Sequence, residues 1–296
     1  MKNGRRISYS LIRLGLLFAA GFAQRCALAG PGDIYVGGDG YILQFNPDGT
    51  RSVFATFPGA IVGLACDAYG NVYAANQADY TIYKFASDGS RTTFATGSVF
   101  RSLAMDNQGH LLAASAGTGQ VLRFNADGSY STLVSGFRAT SQVACDSSNN
   151  LFFTAANTIA YSIYKLTPDG VQSRWSGVAP QAYMTTDASG NLFVDRAQSI
   201  HKFTPDGTET IFSSDCGGPE GLAFDASGNL FEVDLLGYNI FKFAPDGTRI
   251  TFATALPSAP MPLAIAPVPE PGMINLCALS VAFALVSASR LRVRKR

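Results

Sequence analysis

The chain has 296 residues, of which 47% are apolar and only 15% are charged, and its formal net charge is +1. The high apolar content excludes a disordered chain, and the near-zero net charge excludes a basic nucleic-acid-binding domain. Only two histidines are present, so we expect neither a histidine-rich metal centre nor acid–base chemistry by histidine.

The small net charge hides three regions of different charge. Residues 1–29 contain five basic residues and no acid, and residues 268–296 contain five basic residues and one acid. The body between them, residues 30–267, has 12 basic and 20 acidic residues, which gives a net charge of about −8. We therefore interpret the two ends as targeting segments, and we expect no nucleic-acid partner for the acidic body.

The N-terminus predicts a signal peptide over residues 1–29. Basic residues are followed by an apolar stretch over residues 14–23 and then by Ala27-Leu28-Ala29, an A-x-A cleavage site. An apolar stretch of about ten residues is too short to span ~30 Å of hydrocarbon. We therefore expect export through the secretion machinery, with cleavage after Ala29.

The body is built from one repeated unit. An aromatic residue or leucine, two further residues and then Asp-Gly occur six times. The spacings between successive aspartates are 40, 39, 42, 37 and 40 residues. The six aspartates are Asp48, Asp88, Asp127, Asp169, Asp206 and Asp246. A fixed period of about 40 residues indicates a repeat architecture.

Each repeat contains four short apolar or alternating segments. In the fifth repeat they are residues 221–225, 229–233, 239–243 and 249–253, separated by turn residues. A second motif, Asp-x-x-Gly-Asn, separates the first two segments and recurs around Asp67, Asp106, Asp146 and Asp187. Four antiparallel strands per ~40 residues make one blade of a β-propeller. We attribute the repeated aspartates to turn chemistry in preference to calcium binding.

The ends of the body predict how the ring closes. The last repeat supplies only a first strand, residues 262–266, whereas the N-terminus supplies residues 32–36, 41–45 and 52–55 without a first strand. Together the two ends complete one blade, which leaves no open sheet edge at the seam. The predicted fold is therefore an all-β, six-bladed β-propeller over residues 30–267, closed by pairing of its N- and C-terminal strands.

The repeat resembles that of NHL-repeat proteins. The segments that carry the resemblance are Gly-Asn-Leu-Phe, Ile-x-Lys-Phe and Pro-Asp-Gly, and they extend over nearly all of residues 32–266. The resemblance implies a six-bladed propeller and says little about activity, because one fold hosts many functions.

The face opposite the Asp-Gly turns carries the residues that do not repeat, and departures from a repeat are typical of binding sites. Residues at the start of each first strand should surround the central channel, and those at the end of each second strand should lie beside them. From these two sets we predict five ligand-binding residues, which are Arg101, Glu220, Arg196, Asp234 and Asn76.

An enzymatic alternative rests on Pro219-Glu220-Gly221-Leu222. This segment resembles the Pro-Asn-Gly-Leu of gluconolactonase-like propellers, with Glu in place of Asn, and the resemblance implies a metal-dependent lactonase or esterase. Glu220 and Asp234 would supply two oxygen ligands to a divalent metal. A third ligand is not evident, so our main expectation is that the protein has no cofactor.

Three further features are assigned to structure: the histidines, a cationic column and the cysteines. Streptogramin lyase is a related propeller that uses His and Glu at its channel. We place His110 in a turn and His201 between blades, so neither histidine supports the same chemistry here. Residues Gln44, Lys84, Arg123, Lys165, Lys202 and Lys242 form one mainly cationic column, with stems expected between blades and heads near turn aspartates or carbonyls. Cys66, Cys145 and Cys216 do not form a disulfide pattern.

The C-terminus predicts a sorting signal over residues 268–296. Val268-Pro269-Glu270-Pro271 precedes an apolar segment, 273–289, and a basic tail, 290–296, that contains Arg290, Arg292 and Arg294. A segment of this length just spans a bilayer as one transmembrane helix, with the basic tail on the cytoplasmic side. The whole resembles the PEP-CTERM signal of Gram-negative bacteria, which implies an exosortase partner, transient anchoring in the inner membrane and release to the cell surface or biofilm matrix.

Taken together, the sequence favours an exported, non-catalytic propeller that binds a polysaccharide or protein partner through its variable face. The metal-dependent lactonase or esterase at the channel remains the alternative.

Overall fold

The computed structural model of the protein describes residues 30–87, 89–158, 160–178, 182–257 and 262–268. Every regular element in these ranges is a β-strand. The first twelve strands are β1 (Ile34–Gly37), β2 (Asp39–Phe45), β3 (Arg51–Cys66), β4 (Val72–Asn76), β5 (Thr81–Phe85), β6 (Arg91–Thr96), β7 (Phe100–Met105), β8 (Leu111–Ser115), β9 (Gln120–Phe124), β10 (Tyr130–Val134), β11 (Ala139–Cys145) and β12 (Leu151–Ala156). The others are β13 (Tyr161–Leu166), β14 (Gln172–Val178), β15 (Met184–Thr186), β16 (Leu192–Arg196), β17 (Ser199–Phe203), β18 (Glu209–Ser213), β19 (Pro219–Phe224), β20 (Leu230–Asp234), β21 (Asn239–Phe243), β22 (Arg249–Ala253) and β23 (Leu263–Ile265).

The strands form five antiparallel sheets arranged as a β-propeller. Four sheets have four strands each, β7–β10, β11–β14, β15–β18 and β19–β22, and in each the strands are paired in chain order. The fifth sheet has seven strands in the order β23-β1-β2-β3-β4-β5-β6. The predicted all-β propeller is therefore confirmed, whereas the strands are divided into five sheets and not six.

The seven-stranded sheet arises because β3 is unusually long. Its first part pairs with β2 through Arg51 to Ala60, and its second part pairs with β4 through Ile61 to Cys66. Between them the strand continues past Pro58 and Gly59. Gly59 has φ +92°, and a Cβ there would collide with the Cβ of Ala78. Glycine is needed here because no L side chain tolerates both constraints.

The two ends of the described chain pair with each other. β1 and β23 are antiparallel, with Tyr35 opposite Ala264, and the N–H of Gly32 donates to the carbonyl of Ala266 beyond the strands at 3.0 Å. Leu263 and Ala264 are buried in this contact. The predicted closure between the N- and C-terminal strands is thus present.

The hydrophobic core lies between neighbouring sheets. The innermost strands β7, β11, β15, β19 and β23 and the second part of β3 contact one another in sequence and surround a central channel. Aromatic and branched aliphatic residues form six buried clusters, with contacts such as Tyr35 against Phe54 and Phe193 against Phe224. This packing places the start of every innermost strand at one end of the channel, which we call the variable face.

The opposite end, the turn face, is held by a repeated hydrogen-bond pattern. In the turn after β19, Asp225 Oδ1 accepts the N–H groups of Ser227 at 2.9 Å and Asn229 at 2.8 Å, and Oδ2 accepts Asn229 Nδ2 at 2.7 Å. Asp67, Asp146 and Asp187 repeat this pattern with their own Asn partners. These carboxylates stabilise the turns by accepting hydrogen bonds from turn residues.

The predicted signal peptide with Ala27 and Ala29, and the sorting signal from Pro269 onward, lie outside the described residues. Within the part that the structure describes, none of the elements is a helix of the length and hydropathy needed to cross a membrane.

Candidate functional site

Irregular pairing in the innermost strands directs polar side chains into the channel. In β3, β7, β11 and β19 the register with the next strand shifts close to the variable face. A residue in such a bulge leaves the ladder, and its side chain is turned to a new direction. The residues at these shifts are Val62, Arg101, Ser141, Gln142, Glu220 and Gly221, and each lines the channel.

A first cavity, the channel cavity, has a volume of about 180 Å³. Its lining combines side chains from four innermost strands, β3, β7, β11 and β19, with two from adjoining loops. The lining residues are Val62, Gln77, Arg101, Ser141, Gln142, Tyr183 and Glu220. Six of these seven side chains carry a hydrogen-bonding group. The channel cavity is therefore suited to a polar ligand.

A second cavity, the seam cavity, lies between the sheets β15–β18 and β19–β22 and has a volume of about 460 Å³. Its lining is mixed and includes Ala182, Asp195, Ala197, Gln198, Gly217, Gly218, Pro219, Glu220, Leu235 and Leu236. Glu220 belongs to both cavities. The two spaces thus meet at one carboxyl group.

Three titratable groups at this junction interact. Burial, together with the negative charge of Glu220, raises the pKa of Asp195 well above its ordinary value. Burial alone raises the pKa of Glu220. Burial and the charges of Glu220 and Asp195 raise the pKa of the Tyr183 hydroxyl, and Arg101 acts in the opposite sense. Since Glu220 ionises first, the proton is held on the more deeply buried Asp195.

Arg101 is the cation of the channel cavity. Its side chain is half-buried, and it forms no ion pair with any of the residues that the structure describes. A guanidinium presents five donors in a planar fork that matches carboxylate and other oxyanions. Arg101 is therefore available to an anionic or carbonyl group in the channel.

The five residues that the sequence predicts for binding do not all meet. Arg101 and Glu220 line the same cavity. Arg196 turns outward, where Nη1 lies 3.0 Å from Glu209 Oε1 and Nη2 donates to Ser176 Oγ at 2.7 Å. The binding role of all five stays a prediction.

The other two predicted residues fasten loops of the variable face. Asn76 donates to the Pro58 carbonyl at 3.0 Å and accepts the Ala78 N–H at 2.8 Å. Asp234 accepts the backbone N–H groups of Leu236 at 3.0 Å and Gly237 at 3.1 Å. Both side chains are buried in these contacts.

The residues present do not fit the divalent metal that the lactonase resemblance implies. In the described ranges, His, Cys, Asp and Glu side chains do not form any group of three that would hold an ion. Glu220 faces the channel, whereas both carboxyl oxygens of Asp234 accept backbone N–H groups of its own loop. We derive no chemical step through a metal.

The sequence analysis did not select Tyr183, Asp195, Gln77 or Gln142 as site residues. For Asp195 a signal was available in the repeat. The equivalent second-strand positions hold Gly37, Ala75, Ala114, Thr154 and Val233. An acid in a column of small or apolar residues is a departure of the kind that marks a site.

Neither a known family model nor a curated protein matches the sequence. Solved structures do match its fold. A gluconolactonase from Xanthomonas campestris superposes with a TM-score of 0.62 and 18% identity, over 83% of this chain and 90% of that one. Virginiamycin B lyase from Staphylococcus aureus gives 0.57 and 16%, over 80% and 90% of the two chains. TolB from Acinetobacter baumannii gives 0.67 and 14%, over 80% and 67%. At these identities the similarity shows that the chain has the propeller fold of these proteins.

Proposed function

We propose that the protein is a hydrolase of carboxylic esters or lactones that works through Asp195 and Glu220 at the mouth of the channel. The observation that carries this proposal is the pair itself, two carboxyl groups from neighbouring sheets with raised pKa values beside two open cavities. Perturbed carboxyl groups in a cleft are typical of catalytic acids and bases.

The different surroundings of the two groups assign their roles. Glu220 is half-buried and ionises first, so it accepts a proton from a water molecule that adds to the carbonyl carbon. Asp195 keeps its proton and donates it to the alkoxide oxygen when the tetrahedral intermediate loses its alcohol. The products are the acid and the alcohol, and a proton then moves from Glu220 back to Asp195.

The oxyanion of the intermediate needs donors that do not themselves ionise. Arg101 supplies a permanent positive charge, and Tyr183 keeps its hydroxyl proton because burial raises its pKa. Preorganised donors of this type typically contribute about 10²–10³ in kcat each. Arg101 and Tyr183 line the same cavity as Glu220, which supports this assignment.

The structural neighbours favour this enzymatic alternative over a non-catalytic binding protein. Two of them are a gluconolactonase and a lyase. Their identities of 18% and 16% are too low to transfer an activity, so the proposal depends on the carboxyl pair and not on the neighbours.

The test is a screen of the purified protein against lactones and nitrophenyl esters, followed by variants of any activity found. Asp195→Asn and Glu220→Gln should each lower kcat by about 10²-fold or more, and Glu209→Gln, outside both cavities, should not. Metal removal by dialysis against a chelator should leave the activity intact. Stoichiometric calcium or zinc that is lost in Glu220→Ala would favour a metal-dependent mechanism, and an unchanged rate in both carboxamide variants would refute the proposal.

We also propose that the propeller has six blades. The support is that β3 is shared, since its first part completes the set β23-β1-β2 and its second part begins the set β4–β6. The six hydrophobic clusters between neighbouring sets agree with this number. An experimental density map that shows five blades would contradict it.

Export and sorting by an exosortase remain a proposal based on the two ends of the sequence. A tag placed after Arg296 should stay in the membrane fraction of an exosortase-bearing Gram-negative host, while an epitope in the propeller appears at the surface or in the matrix. In Glu270→Ala the C-terminal tag and the propeller epitope should stay together in the membrane fraction. Co-migration of both epitopes in the unchanged protein would contradict the proposal.

A further inference from the structure

We propose that the substrate is amphiphilic, with a polar acid portion in the channel cavity and a short apolar chain in the seam cavity. This inference rests on the proposed hydrolase function, and it names the class of ester or lactone that the same site accepts. It starts from the junction at Glu220, which lines both a polar space of about 180 Å³ and a larger space of about 460 Å³.

The channel cavity selects the polar portion. Arg101 has no ionic partner among the described residues, and the amide, hydroxyl and phenol groups of Gln142, Ser141 and Tyr183 stand around it. Leaving a half-buried guanidinium without a counter-ion costs free energy that an anionic ligand recovers. The acid side of the substrate, with its carbonyl or carboxylate oxygens, fits this cavity.

The seam cavity selects the apolar portion. Ala182, Ala197, Pro219, Leu235 and Leu236 form its non-polar lining, and the backbone at residues 217–218 contributes no side chain. Leu236 is 67% exposed, which places an apolar surface at the rim. The volume lies in the range of about 300–1,000 Å³ that is common for small-molecule pockets.

Charge decides the orientation of the substrate. Asp195 and Glu220 border the seam cavity, and Asp234 lies directly behind Gly217, where a Cβ would collide with its carboxyl group. An anionic group in the seam would face the carboxylates of Glu220 and Asp234 with no basic residue among the described lining residues, whereas the channel cavity sets Arg101 beside Glu220. The anionic end therefore belongs beside Arg101, and a neutral chain belongs beside Leu236.

The binding test uses alkylphosphonates, which imitate an acid head and carry no bond that an esterase cleaves. Titration calorimetry on the purified protein should give hexylphosphonate at least tenfold tighter binding than methylphosphonate, since each buried methylene adds affinity. Leu236→Asp should remove this difference between the two probes. Arg101→Gln should weaken both probes about tenfold or more.

A matched control variant and the thermal midpoint of unfolding distinguish binding at a specific site from nonspecific hydrophobic binding. Ile211 is exposed to a similar extent, 63%, but lies outside both cavities, so Ile211→Asp should keep the preference for the longer chain. Both residues are on the surface, so both variants should fold, and their melting temperatures report this. Equal affinities of the two probes, or a chain-length preference that survives Leu236→Asp, would overturn the inference.

The two proposals fail in different ways. If the probes bind as described and no ester or lactone is hydrolysed, the hydrolase function is wrong while the amphiphilic site stands. If esters are hydrolysed by Asp195 and Glu220 but the rate does not depend on chain length, the hydrolase function stands and this inference is wrong. A preference for a cationic over a neutral chain would likewise contradict it, because the seam would then recognise charge.

Discussion

Glu232 on β20 lies across the seam from Asp195 on β16, and after burial and the charge of Glu220 it is a further cause that raises the pKa of Asp195. Glu232 is fully buried, and neither of its carboxyl oxygens accepts a hydrogen bond of normal geometry from a described residue. Burial raises the pKa of Glu232 to about 7, and the weak Cys216 thiol donor beside it lowers that value only in part.

The first prediction concerns pH and stability. Between pH 4.5 and about 7 the unfolded chain has lost the Glu232 proton and the folded chain has kept it. The free energy of unfolding should therefore fall as pH rises through this window, by about 3 kcal/mol, and then level off. In Glu232→Leu this contribution should disappear, whereas the contributions of Asp195 and Glu220, whose pKa values burial also raises, should remain, and the variant should be more stable than the wild type at pH 8.

Urea unfolding at several pH values measures both effects. Asp246→Asn is the control, because Asp246 is an exposed turn residue and its hydrogen bonds to Thr248 lower its pKa, which places its titration below this window. An unchanged slope in Glu232→Leu would show that Glu232 is ionised in the folded protein.

A second prediction separates two kinds of turn aspartate. Asp225 accepts three hydrogen bonds, whereas Asp246 is exposed and accepts the Thr248 N–H at 2.9 Å. Asp225→Ala should lower the free energy of unfolding by about 1–3 kcal/mol, and Asp246→Ala should lower it by clearly less, since exposed groups regain water. Denaturant midpoints compare the two variants. Equal losses of unfolding free energy in the two variants would mean that the additional hydrogen bonds of Asp225 do not stabilise the fold.

A third prediction tests closure of the ring. Leu263 of β23 is buried against β1 and its neighbours, so Leu263→Ala should cost about 2–5 kcal/mol. If β23 completes the ring, the loss should shift one cooperative transition of the whole propeller. Val268, which is 55% exposed just beyond β23, is the control, and Val268→Ala should change stability by less than about 0.5 kcal/mol. Local fraying in hydrogen exchange without a change in the global midpoint would argue against closure.

A fourth prediction uses the only tryptophan of the chain. Lys165 Nζ lies 5.1 Å from the ring centroid of Trp175, and Lys202 and Lys242 lie over Phe193 and Phe231 at similar distances. Lys165→Met keeps most of the stem and removes the charge, so it should cost about 0.5–1 kcal/mol. Unfolding followed by tryptophan fluorescence measures the loss. A larger loss in Lys165→Ala and none in Lys165→Met would assign the effect to packing alone.

The strands were predictable because turn residues mark their ends in every repeat. Asp-Gly and Asp-x-x-Gly-Asn fix where the chain reverses, and short apolar runs fill the intervals. The continuity of β3 was not predictable, since Pro58-Gly59 is typical of a break. The strand continues there because Gly59 adopts a φ of +92° close to Ala78, which glycine allows and a residue with a side chain does not.

The site was predictable in position and not in composition. Arg101 and Arg196 both lie at the variable face. Arg101 lies in a bulge of β7 and lines the channel, whereas Arg196 forms an ion pair with Glu209. A bulge depends on the partner strand, so a single strand's sequence does not reveal it.

The contacts of the cationic column were likewise only partly predictable from the sequence. Arg123 does pair with the turn residue Asp106 at 2.8 Å, but Lys165 lies over aromatic rings instead.

The last prediction follows from the proton held by Asp195. If Glu220 is the base and Asp195 the acid, kcat/KM for a hydrolysed ester should follow a bell-shaped pH profile. Its acid limb reflects ionisation of Glu220, and its alkaline limb reflects loss of the Asp195 proton, above the usual range of an aspartate because burial and Glu220 raise that pKa. In Asp195→Asn the rate should be lower at every pH and the alkaline limb should be absent, because no proton remains to be lost at that position. Steady-state kinetics from about pH 4 to about pH 10 measure this. An alkaline limb that persists in Asp195→Asn would assign the titrating acid to another group, and Glu232, behind Asp195 in the same seam, would be the next residue to replace.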